Sequence, residues 1–383
     1  MPHDIKKGIS EKVPDGATPT DTDEIELSDE KFEELYDRIE SVFQIYDVAS
    51  DEGTLFFYGI PNEDLKEIYH KLWIPFAELG YQFTIKYELG EHILIASPII
   101  EKPERVWINA MLAIITIFTT MLAGATMFGV DLANNPSQFT QGLPFTLAIM
   151  TVLGSHEMGH YIAARMHGMR TSLPYFIPFP TFIGTMGAII KHRGPIPSRK
   201  ALFDVGVTGP LVGLVASIFV TIIGLNLPAV VPPQDMLMME LQNPPLFEML
   251  VNLVGSVGEF IHPVAFAGWV GMLVTLLNLL PSGQLDGGHV LRAMMGEKAK
   301  YFSSIMPYVL LMLGIYVSFV MKQNGFIWVF WALFLSLFAA AGHPTPLDDD
   351  IELDSTRMAV GVLTFVLGIL CFTLVPFTIV PVT

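Results

Sequence analysis

Three residues with the types and spacing of a metal-dependent hydrolytic centre lie in the segment GSHEMGHYIAAR. His156 and His160 are four residues apart. On a helix both imidazoles therefore lie on one face, where they can bind one metal ion. Glu157 lies beside them, where its carboxylate could take a proton from a metal-bound water and deliver it to a leaving amine. This H-E-x-x-H arrangement predicts metal-assisted hydrolysis.

The surrounding residues make this pattern more specific than a chance match. By chance it should arise in a chain of this composition with a probability of roughly one in a hundred. Here it lies inside an apolar run, where ionisable side chains are costly and normally persist only if they pair, line a cavity or bind something. The alternative interpretation is a buried polar network that binds no metal.

A third protein ligand is needed, because catalytic zinc usually takes three. A later apolar run ends in NLLPSGQLDGGHVLR, and Asp286 is the one strongly placed carboxylate near the end of another run. Pro281 and Gly283 would break the helix just before it, which is tolerated at membrane depth where the chain lines a cavity. His289, three residues further on, is an alternative ligand or could orient one. Zinc suits this donor set best, although iron or cobalt could use the same ligands.

The elements that must position these residues are mostly apolar runs. Hydrophobic residues make up 51% of the 383 residues, and nearly all positions after Val106 are typical of bilayer-spanning segments. We predict a polytopic α-helical membrane protein with six or seven transmembrane helices and a small N-terminal α/β soluble domain. The runs begin near Val106, Leu143, Val205, Pro263, Phe302, Gly325 and Met358.

The distribution of basic residues predicts the orientation, since short cytoplasmic loops carry the excess of Lys and Arg. The segments before the first span, after the second and after the fourth are basic, whereas 129–142 and 228–262 contain no Lys or Arg. We therefore expect a cytoplasmic N-terminus, and with seven spans an outer C-terminus. The second and fourth spans then run in the same direction, which places His156 and Asp286 in the inner half of the bilayer.

The first hundred residues have a different character from the rest. Residues 1–25 contain too little apolar material to pack and are predicted to be a disordered acidic tail. Residues 26–103 are predicted to form a small cytoplasmic α/β domain, followed by a transmembrane metalloprotease domain over 104–383 with its catalytic core at about 143–295. A docking or regulatory role is favoured over a second active site, because no residues there have catalytic spacing.

Helices and strands of the N-terminal domain follow from its apolar pattern. A first helix is predicted to begin near Ser28, with apolar residues at helical spacing from Phe32 to Phe43, and a second follows Asn62. Three β-rich runs are predicted at 54–60, 81–87 and 92–98.

Charge and cysteine content exclude several classes of protein. About 15 of the 17 net negative charges precede Arg105, so nucleic-acid binding is not expected. Cys371 is the single cysteine of the sequence, which excludes intrachain disulfides and zinc-thiolate sites. The first residues lack the character of a signal peptide or a transit sequence, so we expect the soluble domain to stay in the cytoplasm.

Two motifs together resemble the site-2 protease family of intramembrane zinc metalloproteases. They are HEMGH in one span and N-x-x-P-x-x-x-L-D-G, from Asn278 to Gly287, in a later one. The resemblance implies Zn²⁺ held by His156, His160 and Asp286, with Glu157 as general base and acid. It also implies that the substrates are transmembrane proteins of the lipid bilayer, cleaved within a transmembrane helix.

Weaker features of the same family also occur. FIGTMGAII at 182–190 resembles the family's small-residue segment that is thought to contact extended substrate, which makes Gly184 and Gly187 candidate substrate-binding residues. A strand there could hold an unwound substrate by strand addition. GVTGPLVG at 206–213 resembles the family's Gly-Pro span start, and its glycines suit close helix packing.

The combination of an acidic N-terminal domain, IGTMGAIIKHRG and HPTPLDDD resembles one branch of this family most. That branch comprises the plastid gravitropism-deficient yellow-green proteins and their prokaryotic relatives. Because no transit sequence is recognised, we expect a bacterial or archaeal cell membrane as the location.

Asn278 and the enzymatic function each have an alternative interpretation. The Asn278 amide could donate to a developing oxyanion, which makes it a candidate catalytic residue, or it could make only a helix-to-helix hydrogen bond. The alternative function is a non-catalytic membrane scaffold or metal-handling protein of the same fold. A scaffold has no need of Glu157, and a carrier usually spreads ionisable residues along a path.

Overall fold

The computed structural model describes most of the chain, in two compact units. The described residues are 29–51, 53–88, 90–99, 105–193, 196–231, 237–255, 258, 260–340, 346, 349 and 352–381. One unit comprises Met1–Ile68 and Pro75–Ile99, and the other Tyr69–Ile74 and Ile100–Thr383. The tail predicted over 1–25 lies outside the described residues.

The N-terminal unit is built on a four-stranded antiparallel sheet with the strand order β1-β2-β4-β3. Its apolar side chains, among them Phe57, Phe83 and Leu94, are buried. Its elements are α1 (Asp29–Glu40), β1 (Phe43–Asp51), β2 (Thr54–Pro61), α2 (Leu65–Glu78), β3 (Tyr81–Glu88) and β4 (Glu91–Pro98).

The first helix is shorter than the apolar spacing predicts. Helix α1 ends at Glu40, and Phe43 begins a strand that pairs with Pro61 of β2. The sequence did not predict β1, because this edge strand is mostly exposed and lacks an apolar alternation. Phe43 is buried, but as the first residue of strand β1 and not as part of helix α1.

The second unit is mostly helical. Its helices are α3 (Val106–Met127), α4 (Leu143–Met166), α5 (Arg199–Leu225), α6 (Pro245–Val254), α7 (Pro263–Asn278), α8 (Asp286–Met295), α9 (Ala299–Phe319), α10 (Phe326–Ala340) and α11 (Ser355–Leu370). Its strands are short: β5 (Arg170–Thr171), β6 (Tyr175–Pro178), β7 (Thr185–Ile189), β8 (His192–Arg193), β9 (Leu237–Leu241) and β10 (Phe377–Pro381). They form three antiparallel pairs, β5 with β8, β6 with β7 and β9 with β10.

Each of the seven predicted apolar runs contains a helix, but the predicted count of six or seven spans is not confirmed. Among the described residues, three segments are long and apolar enough to cross a membrane: Val106–Met127, Arg199–Leu225 and Asp286–Phe319. Helix α4 is not one of them, because His156, Glu157 and His160 reduce its apolar character. Helices α7, α10 and α11 are apolar but shorter.

The core of the second unit lies where α4, α5 and α7 pack on one another. Small residues allow the helices to approach closely. A Cβ added at Gly224 of α5 would lie 2.1 Å from the backbone nitrogen of Ala265, and one at Gly268 of α7 would lie 2.1 Å from Thr221 Oγ1. Such close approach is typical of helix packing in membranes.

Helix α5 begins earlier than the apolar run near Val205 indicates. It starts at Arg199, and the Ser198 side chain caps it by accepting a hydrogen bond from Ala201 N. The Gly-Pro segment therefore lies inside the helix, with Pro210 in its interior. The predicted break before Asp286 is confirmed, since α7 ends at Asn278 and α8 begins at Asp286.

Candidate metal centre

Three side chains from two helices converge on one point. His156 and His160 of α4 have their Nε2 atoms 3.1 Å apart. Asp286 Oδ2, from the first residue of α8, lies 3.3 Å from His156 Nε2 and 3.2 Å from His160 Nε2. These residues form the cluster among the described residues that could hold a metal ion.

The spacing of these atoms fits a tetrahedral zinc site. With zinc about 2.0–2.1 Å from each ligand atom, the ligand atoms of a tetrahedron lie about 3.3 Å apart. His160 Nδ1 lies 2.8 Å from the carbonyl oxygen of Val205, which can only accept, so Nδ1 carries the proton. His160 Nε2 is then the ring nitrogen that can present a lone pair to a metal ion, and the Asp286 carboxylate can bind the same ion.

Two features of α5 support His160, and only one of them could be predicted from the sequence. The Val205 carbonyl orients the His160 ring, as backbone acceptors commonly do for metal-binding histidines. Gly209 lies directly against the same ring, and an added Cβ there would be 2.1 Å from His160 Nε2. The glycine spacing in GVTGPLVG indicated close packing, whereas a backbone carbonyl has no signature in the sequence.

Asp286 reaches the histidines because the chain is broken before α8. Gly287 packs so closely on the preceding loop that an added Cβ would lie 2.2 Å from the Leu279 carbonyl oxygen. From α9, the Ser303 hydroxyl donates to the Pro281 carbonyl at 3.2 Å and accepts from Gly283 N at 3.4 Å. These contacts hold the non-helical residues 279–285 in place.

Glu157 lies beside the cluster and is buried, with 7% of its surface exposed. The backbone amide of Ile190, one residue beyond β7, lies near its carboxylate and interacts favourably with the charged form. The end of the β6–β7 hairpin is therefore close to the Glu157 carboxylate. Sequence reasoning missed this contact, because any residue type could supply the N–H.

Asn278 ends α7 next to the cluster. Its Nδ2 atom lies 3.2 Å from His156 Nε2. An amide in this position is close enough to reach a group bound at the same point. The predicted role in hydrogen bonding between helices and the predicted catalytic role both fit this placement.

The predicted substrate-binding glycines lie in the β6–β7 hairpin, outside the metal cluster. Both have a positive φ, 84° at Gly184 and 105° at Gly187, which glycine adopts without strain. They differ in their surroundings. A Cβ at Gly184 would lie 2.5 Å from the Thr119 carbonyl oxygen of α3, whereas one at Gly187 would meet no atom within 4 Å.

The other histidines near the motifs do not join the cluster within the part of the chain that the structure describes. His289 lies in α8 beside Gly206, and the metal-binding group does not include it. His167 follows α4 and pairs with Asp204 of α5, with His167 Nε2 2.9 Å from Asp204 Oδ2. His192 is exposed in β8.

A family model matches the part of the chain that contains this cluster. Residues 144–321 match the model of Peptidase family M50, over a range that contains both motifs. This part of the chain is therefore similar to peptidase family M50. The M50 match begins with α4 and extends just past α9. It therefore includes every residue of the metal cluster.

Curated proteins similar to this chain include plant proteins. It is 29% identical over 289 residues to a probable zinc metalloprotease EGY2, chloroplastic, from Oryza sativa subsp. indica, over 71% of this chain and 50% of that protein. It is 26% identical over 381 residues to a probable zinc metalloprotease EGY1, chloroplastic, from Oryza sativa subsp. japonica, over 90% of this chain and 61% of that protein. The chain thus spans about half the length of the curated relatives it matches.

A solved structure also resembles part of this chain. It is the site-2 protease from Methanocaldococcus jannaschii, with a TM-score of 0.33 and 17% sequence identity. The likeness covers 62% of this chain and 91% of that one.

Proposed function

We propose that this protein is a membrane zinc metalloprotease that hydrolyses peptide bonds within or near transmembrane segments of other membrane proteins. The observation that carries the proposal is the convergence of His156, His160 and Asp286 beside Glu157. The M50 match and the names of the relatives support zinc and proteolysis.

Each residue has a defined part in this proposal. His156 Nε2, His160 Nε2 and Asp286 Oδ2 would hold the zinc, which supplies Lewis-acid polarisation of a peptide carbonyl and of a water molecule. Glu157 would take a proton from the attacking water and return it to the leaving amine. Asn278, next to His156, would donate a hydrogen bond to the oxygen that becomes negatively charged.

Strand β7 is the part of the protein that would hold the substrate. It pairs with β6 on one side, and a substrate segment unwound from its helix could add as a third strand. Unwinding a helix in lipid leaves backbone N–H and C=O groups without partners, and each unpaired group costs on the order of several kcal/mol. Strand addition would give these groups new hydrogen-bond partners. The strand leads directly to Ile190, whose N–H contacts Glu157.

The finer location also belongs to the proposal. Placing the basic loops in the cytoplasm puts the N-terminal unit there and the catalytic centre in the inner half of the bilayer. We propose a bacterial or archaeal cell membrane as the site of action. The N-terminal unit would then serve as a docking or regulatory module.

Metal content is the direct test of the ligand set. We expect elemental analysis of detergent-purified protein to find about one zinc per wild-type chain and little in His156→Ala or Asp286→Ala. His167→Ala is the matched control. This histidine lies at the C-terminal end of α4, but its side chain pairs with Asp204 and is outside the cluster. A folded wild type without zinc, or zinc retained in both ligand variants, would contradict the proposal.

Proteolysis is tested by the general base. Glu157→Gln should retain zinc but cleave a reporter transmembrane helix at least about 100-fold more slowly, because the amide cannot accept the proton of water. Glu248→Gln, an exposed position in α6, is the control. Normal cleavage by Glu157→Gln would exclude this role. Zinc uptake into vesicles without any cleavage would favour a metal carrier instead.

A further inference from the structure

A buried ionic cluster that the proposed chemistry does not use joins α8 to the connection between α10 and α11. Arg292 of α8 has only 3% of its side chain exposed. Its guanidinium makes two parallel bonds to Asp349, with Nη1 3.0 Å from Oδ1 and Nη2 2.6 Å from Oδ2. Nη2 also lies 2.8 Å from Glu297 Oε1. The pairing with Asp349 is the bidentate geometry that makes Arg–carboxylate pairs strong and directional.

A second buried arginine connects the same elements. Arg199, the first residue of α5, donates from Nε and Nη2 to the Ala293 carbonyl of α8, at 2.9 Å and 2.7 Å. Its Nη1 reaches the backbone carbonyl of Asp349 at 3.4 Å. The carbonyl end of α8 is thus held by α5 and by Asp349 together.

Contacts from other elements help to set the position of α8, which continues through the short 3-10 turn Gly296–Lys298 into α9. Residues 279–285 separate it from α7, so α7 does not set its rotation or its position along its axis. Its 10 residues form a rigid rod of about 15 Å. Asp286 is at one end, and Arg292 and Ala293 lie near the other. A displacement of the Arg292 end would therefore be transmitted to the Asp286 carboxylate.

We propose that Asp349 is a positioning residue, which through Arg292 and α8 holds Asp286 in register with His156 and His160. Asp349 thereby sets the metal affinity of a centre of which it is not a ligand. This inference rests on the proposed zinc site. Residues that support metal ligands from outside typically change metal affinity by about 10–100-fold.

The test is the zinc affinity of the full-length protein in detergent, measured with zinc alone against a competing chelator. We expect Asp349→Asn to lower zinc affinity about tenfold, because it removes the charge of the bidentate partner. Arg292→Lys keeps the positive charge but lacks the planar fork, and should have the same effect. The double variant should lose no more than either single variant, because both act through one contact.

Glu297→Gln is the matched control. It removes a carboxylate from the same guanidinium, but Glu297 is 66% exposed and does not belong to the α10–α11 connection. The inference requires that this control keeps wild-type affinity, and that Asp349→Asn loses zinc at temperatures where its zinc-free form is still folded. Wild-type affinity in Asp349→Asn and Arg292→Lys, or an equal loss in Glu297→Gln, would overturn it. A wild type that binds no zinc would overturn the proposed function as well.

Discussion

At the scale of single residues, the centre depends on small groups as much as on its ligands. His156, His160 and Asp286 supply the donor atoms, but their approach is set by residues without ionisable side chains. The Val205 carbonyl selects the tautomer of His160, and Gly209 leaves room for its ring. A methyl group added at Gly209 would therefore disturb the site without removing a ligand.

The first prediction is that Gly209→Ala weakens zinc binding, by on the order of tenfold or more. The added Cβ would lie 2.1 Å from His160 Nε2, so the ring must turn away from the metal. Zinc affinity against a competing chelator measures the effect. Gly154→Ala on α4 is the control, since its nearest neighbour, an atom of Phe176, would be 3.9 Å away. Equal affinities in the two variants would refute this packing role.

At the scale of elements, two irregular segments shape the site. One is the break at 279–285, which lets α8 present Asp286 to α4. The other is the β6–β7 hairpin, whose strand β7 leads to the N–H that contacts Glu157. Both are bonded to helices, the first through Ser303 of α9 and the second through Thr119 of α3, whose hydroxyl donates to the Gly184 carbonyl.

The conformation of the non-helical segment 279–285 is expected to depend on the Ser303 side chain. Ser303→Ala removes the hydroxyl that donates to the Pro281 carbonyl and accepts from Gly283 N, and should lower the free energy of unfolding by about 1–3 kcal/mol. Thermal unfolding in detergent measures the change. Its neighbour Ser304 bonds only within α9, to the Lys300 carbonyl, so Ser304→Ala should unfold near the wild-type midpoint. Indistinguishable midpoints for the two variants would show that the loop does not need this hydroxyl.

The hairpin is expected to affect turnover but not metal binding. Gly187→Val should slow cleavage of a reporter helix while zinc content stays at one per chain, because a β-branched residue is strained at a φ of 105°. Gly184→Val should act similarly by forcing the turn away from α3. Gly168→Val, at a φ of 66° in open space after α4, is the control. Unchanged turnover in Gly187→Val would remove the substrate-binding role.

At the scale of the whole molecule, long apolar segments are the main feature that suits the chain to a membrane. Three segments of the described residues are long and apolar enough to cross a bilayer, and the shorter apolar helices pack with them. The basic loops then predict the direction of the spans. Two arginines of the basic segments, Arg199 and Arg292, lie in helices and are buried, so part of the positive charge serves packing as well as orientation.

Orientation can be measured by cysteine labelling in intact cells. Cys371 is the single cysteine and is buried, so the wild type should label weakly. We expect a membrane-impermeant maleimide to label Ser137→Cys directly, because this exposed position lies in a loop predicted to be outside. Lys298→Cys and Lys86→Cys, both exposed, should label only after the membrane is permeabilised. Labelling of Lys86→Cys in intact cells would place the N-terminal unit outside.

The sequence by itself determined the features that depend on nearby residues. Helical spacing brings His156 and His160 to one face, Pro281 and Gly283 break the helix before Asp286, and the apolar runs become helices. These follow because hydrogen bonding and side-chain direction within a helix repeat over a few residues.

Only the tertiary structure decided the features that join distant parts of the chain. Examples are Asp286 meeting His160 over 126 positions, Val205 orienting His160, and Asp349 pairing with Arg292. The edge strand β1 belongs here too, because pairing with β2 and not its own apolar pattern made it a strand. Such contacts depend on packing between elements and on backbone groups that every residue carries, so neighbouring residue types do not encode them.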